Sequence, residues 1–198
     1  LGYSPTDALL EANRCLHCRH RPCVDGCPVN IRIPDFIKAI EDNDINKAYE
    51  IIIDDNLFPG ICGRVCPQES QCEAKCVRGI KGESVAIGRL ERFVADHNNY
   101  EHDIEITENN IKVAIVGSGP SGLTCAYELR RMGYDVTIFE ALHAPGGVLT
   151  YGIPEFRLPK HIVNEEVDKL KNIGIHIKTN VVIGRTITLD QLQELGFK

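Results

Sequence analysis

Eight of the nine cysteines in this 198-residue chain sit in two dense runs, and these restrict its fold more than any other feature. The runs are Cys15-x2-Cys18-x4-Cys23-x3-Cys27-Pro28 and Cys62-x3-Cys66-Pro67-x4-Cys72-x3-Cys76. Thiols at this density pair as disulfides, bind metal or lie inert. A disulfide framework suits a small secreted domain. The first thirty residues are polar and carry no apolar signal segment, so thiolates in a reducing, cytoplasmic setting fit better. The chain starts at Leu1 rather than Met, and a native start upstream is expected. Zinc shares the C-x2-C spacing but usually takes two pairs, not a four-cysteine run ending in Cys-Pro. The first run instead follows the bacterial ferredoxin pattern with a wider middle gap. In such runs three cysteines wrap one iron–sulfur cluster and the fourth, before proline, ligates a second. Cys15, Cys18 and Cys23 then form one set, Cys27 is donated elsewhere, and the second run completes both clusters.

His17 and His20 lie inside the first run and are expected to pack around a cluster rather than ligate it. Arg14, Arg19, Arg21, Arg64 and Arg78 lie near the cysteines, where surface solvation is their ordinary role. The net charge is −6, and residues 1–103 hold 12 basic against 17 acidic residues. That balance argues against nucleic acid as a partner. No apolar run approaches the ~20 residues of a membrane span.

Two regions are expected: a helical one at 1–103 and an α/β one at 111–198, joined by a polar linker at 104–110. Ser4-Pro5-Thr6-Asp7 is a helix start, with Ser as N-cap and an acid in the first turn. Apolar residues at helical spacing predict helices over 33–42, 45–55 and 85–97. Phe58-Pro59-Gly60 is expected to break the chain before the second run. From Ile111 the pattern becomes β-α-β. Val113–Val116 reads as a buried parallel strand, 121–132 as a helix and Val136–Phe139 as the next strand. A helix near 160–172, a strand at 175–178 and a short helix near 188–195 follow. Cys125, in the helix after the glycine loop, is expected in the core.

The strand at 113–116 runs into Gly117-Ser118-Gly119-Pro120-Ser121-Gly122, which opens a helix, and the second strand ends at Glu140. This is the full context of a dinucleotide loop. Gly117 makes the turn, Gly119 admits the pyrophosphate to the backbone, and Gly122 lets helix and strand pack. The helix N-terminus favours phosphate charge. Glu140 suits a ribose diol and would repel a 2′-phosphate. FAD and NAD both remain open on the motif alone. Ala144-Pro-Gly-Gly147 resembles the glycine pair that covers a flavin's ribityl part.

The segments Glu11-Ala-Asn-Arg-Cys-Leu-His-Cys18, Cys62-Gly-Arg-Val-Cys-Pro-Gln68, Ile87-Gly-Arg-Leu-Glu-Arg-Phe93 and Tyr151-Gly-Ile-Pro-Glu-Phe-Arg-Leu-Pro-Lys160 resemble the small (beta) subunit of NADPH-dependent glutamate synthase. The same module occurs in the large subunit of electron-bifurcating ferredoxin:NADP oxidoreductases and in dihydropyrimidine dehydrogenase. The resemblance implies a helical domain with two [4Fe–4S] clusters, followed by a doubly wound Rossmann-like FAD domain. It assigns Cys15, Cys18, Cys23 and Cys76 to one cluster. It assigns Cys27, Cys66, Cys72 and Glu91 to the other, whereas spacing alone favours Cys62 over Glu91. It places FAD on the loop at Gly117, Gly119, Pro120, Ser121 and Gly122, with Glu140, Gly147, Val148 and Arg157.

Family subunits are more than twice as long and carry NADPH on a further domain. This chain is therefore expected to be a fragment, the FAD domain incomplete, inactive alone. No catalytic side chain is expected from it, since the chemistry belongs to the cofactors. The implied function is electron transfer from NADPH through FAD and the clusters to a partner, the glutamate synthase large subunit or another redox subunit. The alternatives are the large subunit of a ferredoxin:NADP oxidoreductase or related sulfide dehydrogenase, a metal-binding docking module without flavin, and a single-domain NAD-dependent dehydrogenase.

Overall fold

The computed structural model describes residues 2–100 and 105–198. The chain divides into two compact units, Leu1–Glu101 and His102–Lys198. The first is helical. Its α-helices are α1 (Pro5–Ala12), α2 (Pro22–Asp25), α3 (Ile33–Glu41), α4 (Ile45–Ile53), α5 (Pro59–Val65) and α6 (Ile87–His97). Three short 3-10 turns, Gln68–Ser70, Glu73–Lys75 and Val77–Ile80, fill the span between α5 and α6.

Local chemistry starts these helices. The Ser4 hydroxyl accepts from the Asp7 amide at 3.2 Å while the Asp7 carboxylate accepts from the Ser4 amide at 3.3 Å, a reciprocal cap. Asp44 caps α4 by accepting from the Lys47 amide at 2.9 Å. The apolar stripe of α3 buries Ile33, Phe36, Ile37 and Ile40, which is helical spacing turned to one side. With Tyr49 and Ile52 of α4 and Leu90, Phe93 and Val94 of α6 they form one core. Each such buried side chain contributes about 1.5–3 kcal/mol. Cys15, Cys23, Cys27 and Cys76 pack partly buried against that core, so the thiols are fixed by it. The helices α5 and α6 meet closely at Gly63, where a Cβ would come 2.6 Å from the Arg92 amide nitrogen.

The second unit contains β1 (Lys112–Val116), α7 (Pro120–Arg131), β2 (Asp135–Phe139), α8 (Val148–Tyr151), α9 (Lys160–Asn172), β3 (His176–Lys178) and α10 (Leu189–Glu194). The sheet order is β1-β2-β3, all parallel, with Val113 beside Val136 and Ile138 beside Ile177. Phe197 forms a parallel bridge to Lys112, and the Lys198 amide donates to the Lys112 carbonyl at 2.9 Å. The chain thus pairs with β1 on the edge opposite β2. The order of strands reverses at β1, which is where doubly wound sheets open a ligand crevice beyond the strand ends.

Several expectations shift. Phe58-Pro59-Gly60 does not simply break the chain; Pro59 takes the first position of α5, where its missing N–H costs nothing. Cys62 therefore lies inside a helix. The strand β1 is only half-buried at Val113–Ile115, and Val116 is 61% exposed. Cys125 is exposed rather than in the core, because α7 turns Leu123, Ala126 and Tyr127 inward and Cys125 falls between them. The expected linker is narrower. Glu108 pairs with Arg130 at 2.6 Å and Asn109 donates to the Gly133 carbonyl at 2.9 Å, so both belong to the second unit. Ile104, where that linker was expected to start, and the end of the helical region at 101–103 lie outside the described residues.

Candidate functional site

The thiols sort into two cavities. Cys15, Cys18, Cys23 and Cys76 line one, walled by Leu16, Ile33, Ile37, Val77, Val85 and Ile87. Cys27, Cys62, Cys66, Cys72 and Glu91 line the other. Each run contributes to both cavities. Arg14 helps hold the first run in place: it reaches the Glu83 carbonyl at 2.6 Å and the Ser84 carbonyl at 3.2 Å. The two runs touch at Gly26, where a Cβ would come 2.8 Å from the Gln71 carbonyl oxygen.

Other residues singled out above are accounted for locally. His17 turns to Glu41, with Nε2 2.7 Å from Oε1, and His20 is exposed. Arg21 pairs with Asp35 at 2.7 Å and Arg64 with Asp96 at 2.7 Å. Arg78 lines the first cavity.

Burial raises the Cys15 thiol above its usual value, offset in part by the His17 backbone. Burial, with Cys15 and Cys76 beside it, pushes Cys23 to about 11. Burial and the nearby Glu73 and Glu91 push Cys72 to about 12. The Cys62 thiol is raised by its hydrogen bond to Cys66 and by burial; that same bond lowers Cys66 to about 7. Glu91 is 5% exposed, and desolvation with Cys66 nearby lifts it to about 8 against the opposing pull of Asn56. Such a cluster of buried acids ionises together only when a cation takes up the charge.

The residues fit an iron–sulfur group. A single zinc ion draws its sulfurs to about 2.3 Å from one point. Here the thiols gather as sets around two cavities, Cys15, Cys18, Cys23 and Cys76 around one and Cys27, Cys62, Cys66 and Cys72 with Glu91 around the other. Polynuclear clusters held by thiolates suit that arrangement.

In the second unit the glycine loop joins β1 to α7. Gly117 is left-handed at φ +92° and donates to the Phe139 carbonyl at 2.8 Å. A Cβ at Gly122 would overlap the Gly117 carbonyl oxygen, so only glycine lets α7 start there. Pro120 takes the first turn of α7, Ser121 is exposed, and no side chain caps the helix. Its first amides therefore face outward from the loop, as an anion-binding helix start requires.

Glu140 is 6% exposed and folds back on the loop. Its Oε2 accepts from the Ser118 amide at 2.8 Å and from the Ser118 hydroxyl, and its Oε1 from the Leu142 amide at 2.8 Å. Burial raises its pKa, and the Ser118 hydroxyl with the amides of Leu142, Ser118 and Ala141 outweighs burial and leaves it below the ordinary value. Gly146 donates to the Ser118 carbonyl at 3.0 Å, which brings Gly147 and Val148 to the loop. Arg157 is exposed on a turn closed by its amide on the Pro154 carbonyl at 3.0 Å.

Sequence reasoning missed Asn56, which links Cys62 to Glu91, and Ser118, which links the loop to Glu140. Ser118 was visible as a polar residue inside the glycine motif. Asn56 carried no signal, since its partner Glu91 lies 35 residues away.

Thiol-ringed cavities in a helical unit and a glycine loop in a parallel α/β unit define an iron–sulfur protein with a nucleotide-binding half. Residues 1–103 match the family described as dihydropyrimidine dehydrogenase domain II, 4Fe-4S cluster, and the chain belongs to that family. Residues 115–164 match the NAD(P)-binding Rossmann-like domain.

The NAD-dependent dihydropyrimidine dehydrogenase subunit PreT of Escherichia coli O157:H7 is 40% identical over 196 residues, covering 97% of this chain and 47% of that protein. The glutamate synthase [NADPH] small chain of Halomonas elongata is 37% identical over 196 residues, covering 97% of this chain and 42% of its own. The same small chain of Escherichia coli K12 is 36% identical over 194 residues, covering 96% and 41%. The chain thus spans less than half the length of these curated relatives. Among the described residues no helix is long and apolar enough to cross a membrane.

Proposed function

We propose that this chain is the electron-transfer portion of a nicotinamide-dependent flavin and iron–sulfur oxidoreductase, with two [4Fe–4S] clusters and FAD. The observation that carries the reading is the sorting of thiols. Cys15, Cys18, Cys23 and Cys76 share one cavity, and Cys27, Cys66, Cys72 and Glu91 share the other with Cys62. These are the sets expected of two clusters with crossed ligands.

A bound FAD would supply acceptance of one hydride, two electrons, from NADPH and their release one at a time, and bound [4Fe–4S] clusters would supply one-electron carriage. The chain's own work is to hold and insulate. The apolar walls of the first cavity limit solvent access and so tune a bound cluster's potential. The amides opening α7 offer donors to a pyrophosphate. Glu140 stiffens the loop through Ser118, and its oxygens keep lone-pair capacity for a ribose hydroxyl. Gly147 and Val148 close over the same loop, and Arg157, on its exposed turn, is assigned to the flavin by resemblance.

The redox partner in this reading is the glutamate synthase large subunit, in a cytoplasmic complex, with NADPH bound by a part of the subunit outside this chain. This portion alone is expected to show no NADPH-dependent turnover. Anaerobic reconstitution with iron and sulfide, followed by metal analysis and absorbance, tests the core of the reading. About eight irons per chain are expected. Zinc at stoichiometric level without iron would overturn it. A second reading rests on the 40% identity to PreT: the partner is then a dihydropyrimidine dehydrogenase subunit and the donor NADH. Comparing NADH with NADPH oxidation by the complete subunit separates the two.

A further inference from the structure

Asn56 belongs to no motif, yet it is 8% exposed and stands between the two groups that compete for the second cavity. It lies in the turn between α4 and α5. The backbone fixes which way its amide faces. The Phe58 N–H donates to Asn56 Oδ1 at 3.2 Å, and only an oxygen can answer that donor. Asn56 Nδ2 must then face Glu91, where it donates to Oε1 at 2.8 Å. The same Oδ1 lies 3.5 Å from Cys62 Sγ, whose S–H it shares with Cys66. The Cys62 carbonyl is held in turn by Gln68 Nε2 at 2.9 Å.

We propose that Asn56 is the positioning residue that makes Glu91, and not Cys62, the fourth protein ligand of the second cluster: its amide nitrogen aims the carboxylate while its carbonyl oxygen holds the thiol. The inference rests on the two-cluster reading above. A ligating carboxylate is commonly steadied by a hydrogen bond that orients it toward the metal. Asn56 supplies that bond to Oε1 and leaves Oε2 for the cavity. Cys62 meets the opposite end of the same amide. The Cys62 S–H is taken up inside the protein, by Cys66 and by that oxygen. One side chain with two unlike ends therefore treats the two candidates differently. Leucine at this position, similar in volume, would release both.

The test uses the complete subunit, purified anaerobically and loaded with iron and sulfide. Iron content, the electron paramagnetic resonance spectrum after dithionite reduction, and a redox titration are measured. Asn56→Leu should shift the g-values and potential of one cluster and leave the other unchanged, because Cys62 then replaces Glu91. Adding Cys62→Ala to that variant should abolish the shifted signal. Cys62→Ala alone folds around a small buried change and should keep the full iron complement and both signals. An Asn56→Leu spectrum identical to the parent, or loss of a cluster from Cys62→Ala, would overturn the assignment. A parent protein that takes up no iron would overturn the two-cluster reading and this inference with it, whereas a loaded parent with an insensitive Asn56 defeats this inference alone.

Discussion

Glu91 and Glu140 show similarly little surface, 5% and 6% exposed, but Glu91 lies far deeper in the protein than Glu140, and their acidities move in opposite directions. Glu91 has one side-chain donor, Asn56, and faces thiols. Its pKa rises to about 8, with desolvation the main cause. Glu140 receives the Ser118 amide and hydroxyl and the Leu142 amide, and its pKa falls despite burial. A carboxylate whose oxygens are answered by protein donors is part of the scaffold. One left with a single donor in a thiol-lined cavity keeps its proton to higher pH. The first unit builds its site from side chains gathered across 15–91, and the second builds its site from the backbone of one loop.

Replacing one ligand from each thiol set strains this contrast most. Cys23→Ala and Cys72→Ala should each remove roughly half of the bound iron, one cluster of two, and leave flavin content unchanged. Loss of flavin with the iron would show that the two sites are not built independently. Gly122→Val should do the reverse. Its side chain would collide with the Gly117 carbonyl, at a cost of about 3 kcal/mol or more. Flavin binding should be lost with iron retained, read by cofactor content and by calorimetry.

In the metal-free chain the two carboxylates also respond oppositely to pH. Glu91 has a folded pKa above its unfolded value of about 4.3, so the folded state holds the extra proton between the two values. Stability from this group is complete below about pH 4.3 and declines as pH rises toward about 8. Glu91→Gln should flatten that decline, measured as urea midpoints at pH 5 and pH 8.5, by a few kcal/mol at most. Glu140 contributes oppositely: its stabilisation is present above its unfolded pKa and is lost as pH falls. A Glu91→Gln midpoint that still declines by the same amount would break the contrast.

Ser118→Ala should act more gently, removing the Glu140 hydroxyl bond for about 1 kcal/mol and weakening flavin affinity several-fold. Titration of flavin into the variant reads this directly. Cys125→Ser should change nothing beyond about 0.5 kcal/mol, since the thiol is exposed and outside both cavities. Altered iron content there would sharpen the picture by adding a thiol to the ligand budget.

Much of this was legible from the chain because the relevant physics is local. The reciprocal cap of Ser4 and Asp7, the stripe of α3 and the glycine loop depend on residues within a few positions of each other. Helix ends were placed within about two residues, the usual slack where caps compete. The start of α5 was misjudged because Pro59 and Gly60 break a helix interior as readily as they begin one. Cys125 was misjudged because its burial depends on which side of α7 meets the sheet, and Leu123, Ala126 and Tyr127 decided that together.

The sequence by itself determined that two cysteine runs and one dinucleotide loop exist, since spacing and glycine stereochemistry are written along the chain. Spacing sets Cys27 apart from the rest of the first run, but only the tertiary structure decided how the second run divides. Cys76 joins Cys15, and Cys27 joins Cys66, because the core of α3, α4 and α6 folds the two runs onto each other. The placement of Glu91 and Cys62 at opposite ends of the Asn56 amide was likewise decided there. Spacing cannot reveal a hydrogen bond between residues 35 positions apart, such as the one that joins Asn56 to Glu91.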